Sequence, residues 1–86
     1  MELKDTVDLM LSEDWKDRLI AEYLQTKIRY NKVHKLIIQM EVSTVKFEVP
    51  IPIEDFKAQA QHMGMYLYEL EKRAMRCGVE LPAVES

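Results

Sequence analysis

LIAEYLQTKIRYNKVHKLIIQM, residues 19–40, contains neither glycine nor proline, and its apolar positions repeat with a helical period. Leu19, Tyr23, Thr26, Tyr30, Val33, Ile37 and Met40 are spaced alternately by four and three residues. That is a heptad seam sustained over three repeats. Extended back to Glu13, the stretch predicts a helix over about residues 13–40, roughly 40 Å long at the α-helical rise. A helix of that length in so small a chain must pair with something along its length. Ser12 is placed to cap it, and Glu13 and Asp14 suit the positive end of its dipole.

A second seam lies downstream. Phe56, Ala60, Met63, Leu67, Leu70, Ala74 and Cys77 step by four and three in the same way, which predicts a helix over about residues 52–77. Pro52 suits its first turn, with Glu54 and Asp55 just behind, and Gly78 is a natural left-handed stop. Residues 41–51 break the helical pattern. Val42, Val45, Phe47 and Val49 are β-prone, and Pro50 and Pro52 stop a helix entering from the first side, so an extended connection is expected. Leu3, Val7, Met10 and Leu11 make residues 1–11 a short amphipathic arm, and residues 79–86, with Pro82, read as a tail. The expected fold is all-α: an antiparallel helical hairpin with an N-terminal helical arm. Its register sets Tyr30 near Met63 and Tyr66, and Tyr23 near Leu70 and Arg73.

Composition bounds the rest. Eighty-six residues make one small domain. A formal charge of −3 argues against a broad basic surface for duplex DNA. An apolar fraction of 48% excludes a disordered chain. Two glycines and three prolines are too few for the turns of a many-stranded β-sandwich. No run reaches the ~18 apolar residues of a membrane span. MELKDTVDLM is acidic and amphipathic rather than leader-like, and the single cysteine points to a reducing cytoplasm.

A hairpin uses one apolar stripe per helix, and this chain has more. Ile20, Leu24, Ile28 and Ile38 lie about 100–180° from the Leu19 seam, and Met65, Tyr68 and Met75 lie away from the Phe56 seam. The arm, with Trp15, can fold back over part of this surplus but has too few large residues to cover both faces. A homo-oligomeric bundle is therefore expected, with Ile20, Leu24, Ile28, Met65 and Tyr68 at the interface.

Gln59, Tyr66 and Arg73 recur at seven-residue spacing beside the second seam. An aromatic ring can stack a base, a guanidinium can hold a phosphate, and an amide can bond a base edge. The same row can instead snorkel over the seam and pair with Glu22 or Asp14. Lys27, Arg29, Lys32 and Lys35 form a basic run with no acid between Lys27 and Gln39, and they read as a solvated face. His34 and His62 lack the partners of a metal site, and Cys77 on the apolar seam reads as a buried structural thiol. No carboxylate dyad, glycine-rich phosphate loop or Ser/His/Asp set is present, so no catalytic residue, metal ligand or cofactor is expected.

The string Phe56..Gln59...Met63..Tyr66...Leu70..Arg73, together with Trp15-Lys16-Asp17-Arg18-Leu19...Glu22-Tyr23, resembles small phage and prophage hairpin proteins over residues 12–77. Among these is the family named after a crAss-like phage. The resemblance implies an oligomeric helical hairpin without catalytic activity, in the cytoplasm of a bacterial host. Similar phage hairpins are anti-defence sponges that sequester the cyclic nucleotide messengers of CBASS and Thoeris immunity. By that resemblance the ligand role falls on Tyr66 and Arg73 with Gln59 in support. Arg76, one turn further, is added from its position. The rival expectation is a phage accessory protein that binds a host protein through an apolar helix face.

Overall fold

The computed structural model describes residues 1–43, 45 and 47–84; Thr44 and Lys46 of the connection, and Glu85 and Ser86 of the tail, lie outside the described residues. Among the described residues the chain is all-helical. A single 3-10 turn, Leu3–Thr6, runs into α1, Val7–Met10. The long helix α2 spans Trp15–Glu41, and α3 spans Ile53–Arg76. The longest dimension of the molecule, 43 Å, matches the length of α2.

Local chemistry sets each boundary. Asp14, not Ser12, caps α2: its side chain accepts from the Lys16 N–H at 2.9 Å. Ser12 instead accepts from the Asp14 N–H and donates to Asp17, while Arg18 donates to the Ser12 carbonyl. These bonds knit the turn between α1 and α2. Pro52 stands as the N-cap of α3 rather than inside its first turn. At the far end Gly78 has φ +68°, with its N–H on the Met75 carbonyl and the Val79 N–H on the Ala74 carbonyl. That pair of bonds is a Schellman stop.

Helices α2 and α3 pack along their seams. Leu19, Leu70 and Ala74 form a buried cluster, with Tyr23 against it, and the Tyr30 ring approaches Gly64. Residues 79–86 were expected as a tail, of which 79–84 are described. Val79 and Leu81 instead fold back onto the Leu19–Leu70–Ala74 cluster, because the Schellman turn reverses the chain there. Cys77 was expected to be buried and is exposed, at the C-cap of α3 where the helix gives way to the Gly78 turn.

The arm occupies the face of α2 turned away from α3. Thr6, fully buried, donates to the Leu3 carbonyl at 2.7 Å and accepts from Gln25 Nε2 at 2.9 Å. Gln25 also reaches Met10, and Lys32 pairs with Glu2. Leu24 and Ile28 are therefore interior residues of the single chain, at 2% and 3% exposure. The expectation that they stand free as an oligomer interface is corrected: the arm covers this face of α2 once Thr6 and Gln25 seat it. Ile20 is half-buried, whereas Met65 and Tyr68 remain exposed.

Burial is uneven along the hairpin. Every fully buried residue of α2 lies between Leu19 and Ile28, and every one of α3 between Leu67 and Ala74. Toward the connection Val33, Ile37, Met40, Ile53 and Phe56 are only half-buried. There Lys57 bonds Glu41 at 2.9 Å across the two helix ends.

Candidate functional site

On α3, Gln59, Tyr66 and Arg73 follow one line at intervals of roughly 10 Å. Leu67, Leu70 and Ala74 turn inward, which leaves this row on the flank of the α2–α3 seam, exposed throughout. Tyr66 shows 42% of its surface. Arg73 makes no ion pair among the described residues, so neither Glu22 nor Asp14 holds it. Arg76 is likewise exposed, in the last turn of α3. The back of the helix presents Met65 and Tyr68 at 60% and Met75 at 85% exposure. Lys72 Nζ lies 4.9 Å over the Tyr68 ring and pairs with Glu69.

The row lies on a convex helix surface. Of two surface grooves, neither takes in Gln59, Tyr66, Arg73 or Arg76. A ligand seated on this row alone would keep one side in water, whereas small-molecule sites enclose most of the ligand. Enclosure requires a second surface.

One groove sits where α3 ends, between Tyr23, Glu71 and the returning Val79 and Leu81. Burial raises the Tyr23 hydroxyl above its usual pKa of 10.0, and the nearby Glu71 carboxylate adds to the rise. The other groove, about 810 Å³, lies where the arm meets α2. Ile28, Asn31, Lys32, Lys35 and Ile38 line it from the helix, and Glu2 stands on the arm side. The basic run was read as a solvated face; the structure divides it. Lys27 lies 5.3 Å over the Tyr30 ring, while Lys32 and Lys35 face the groove. The signal was present in the spacing, since Ile28, Asn31, Lys32, Lys35 and Ile38 share one helical face. Among the described residues no group of three His, Cys, Asp or Glu could hold a metal ion, and no helix is long and apolar enough to cross a membrane.

A family model described as Sequestin matches residues 13–76, most of the chain. The chain belongs to the Sequestin family. No curated protein and no solved structure matches it. The Sequestin match takes in α2, the connection and α3, together with all four candidate ligand residues, and leaves the arm outside. The name of the Sequestin family points to a binding or sequestering role.

Proposed function

We propose that this chain is a phage-encoded, non-catalytic sponge that binds a cyclic nucleotide signal between copies of itself in the cytoplasm of a bacterial host. The observation that carries this reading is the exposed Arg73, without an ion pair among the described residues, in line with Tyr66 and Gln59 on a Sequestin-family helix. Arg73 grips a phosphate with its two-pronged guanidinium, Tyr66 stacks a base, and Gln59 bonds a base edge. Arg76 adds a second cation one turn on. A two-fold junction presents the row twice, which suits a ligand built of repeated phosphate and base units. The junction also supplies the second wall that the convex row lacks.

Titration calorimetry against cyclic di- and trinucleotides and cyclic ADP-ribose isomers tests this. Binding with fewer than one ligand per chain is expected. Arg73→Ala is expected to weaken it at least about tenfold without altering assembly, and Arg73→Lys to restore part of the loss. Absence of binding by the whole panel at about 100 µM protein sinks the reading. The apolar back of α3 then favours the alternative, an accessory protein that docks Met65, Tyr68 and Met75 on a host protein.

A further inference from the structure

Lys32 and Lys35 belong to the basic run that the proposed junction does not use, and both stand in the groove beside the arm. Their i, i+3 spacing brings them together on the helix surface, with Cβ atoms about 5–6 Å apart. The residues around them differ in kind. Ile28 and Ile38 give apolar wall, and Asn31 brings an amide. His34, at the edge, is backed by Tyr30 in a near-parallel stack with ring centroids 6.0 Å apart. Residues 27–39 hold four cations and no acid in a chain of net charge −3. Positive potential is therefore concentrated on this stretch. The acid at the groove is Glu2, whose Oε2 lies 3.6 Å from Lys32 Nζ, with both side chains largely exposed.

The geometry points to a second ligand site in this groove, for a small nucleotide with adjacent phosphates, such as a nucleoside diphosphate. Lys32 and Lys35 hold neighbouring phosphates as compact point charges. The base lies along Ile38 and the His34 ring, and Asn31 bonds its edge or the ribose. A volume of about 810 Å³ suits a ligand of this size. Glu2 competes for Lys32, so the arm weakens the site it borders. Glu2 stands on the arm side of the groove, and an acid there favours a short anion over a long nucleic acid. The site lies across α2 from α3, shares no residue with the Tyr66–Arg73 row, and does not depend on the cyclic-nucleotide reading.

Titration of the full chain with ADP and with pyrophosphate at low salt tests the assignment. Both are expected to bind, ADP more tightly. Joint Lys32→Ala and Lys35→Ala substitution is expected to weaken ADP binding at least about tenfold. Glu2→Gln is expected to tighten it about two- to fivefold. Circular dichroism checks that each variant keeps its helices; where the alanine pair does not, Lys32→Gln with Lys35→Gln replaces it. The assignment falls if ADP gives no binding at about 1 mM, or if the lysine variants bind as the parent does. It also falls if a single-stranded oligonucleotide binds through the same lysines more tightly than ADP.

Discussion

Ser43 and Gly78 both take left-handed backbone conformations, at φ 59° and 68°, each just beyond the end of a long helix. Only glycine does so without a Cβ penalty. Gly78→Ala meets no atom within 4 Å of the new Cβ, so its cost is purely conformational, and a loss of about 1 kcal/mol is expected in urea unfolding. Ser43→Gly is expected to change stability the other way, by up to about 1 kcal/mol. Equal effects of the two substitutions would show that the caps are not what separates them. Tyr23 supplies a pH dependence. Its raised pKa means the folded state keeps the phenol proton that the unfolded state releases near pH 10. The associated stability is complete below that pH and is lost as pH climbs through the folded-state value. Tyr23→Phe is expected to flatten the alkaline fall in melting temperature; an unchanged fall assigns it to other groups. The stop at Gly78 was legible because a single residue type dominates left-handed caps. The turn at Ser43 was not, because nothing in residues 41–51 carries a glycine signal.

The arm shows what helix patterning can and cannot reveal. Its amphipathic spacing was legible, but its seating includes a buried bond between Thr6 and Gln25, polar residues far apart in the chain. Periodicity of apolar residues carries no information about such a pair. Thr6→Val keeps the shape and removes both hydroxyl bonds, and a loss of about 1–3 kcal/mol is expected because Gln25 loses its partner. Proteolysis at the arm should accelerate in the same variant. If stability and cleavage both stay at parent levels, Thr6 does not seat the arm. The α2–α3 register was legible for a different reason: two heptad seams admit few ways of pairing. Leu70, fully buried between them, is expected to cost about 2–5 kcal/mol when replaced by alanine. Of the candidate site, residue types and their common line were legible, because spacing decides which side chains share a face. The groove at Lys32 and Lys35 was not, because one of its walls belongs to the arm.

In the whole molecule, the arm, α2 and α3 form three layers, and part of the apolar surface left exposed lies on the back of α3 at Met65, Tyr68 and Met75. Assembly through that face is expected to give a light-scattering mass well above the 10.2 kDa of one chain. Tyr68→Glu is expected to return the mass to a single chain with helicity intact. Leu24→Glu, by contrast, buries a charge beneath the arm and is expected to unfold the chain rather than merely dissociate it. A 10.2 kDa mass for the parent protein at about 100 µM removes the assembly on which the cyclic-nucleotide junction depends. The uneven burial along the hairpin has a consequence for amide hydrogen exchange. Leu24, Leu67 and Leu70 are buried at the end of the hairpin where the arm covers α2 and the returning tail packs on the seam, and their amides open only with the whole molecule. Amides near Ile37, Met40 and Phe56 are held by half-buried contacts and one surface ion pair. The hairpin should therefore unzip from its closed loop toward its free ends, and deuterium should enter both long helices as a gradient along their length.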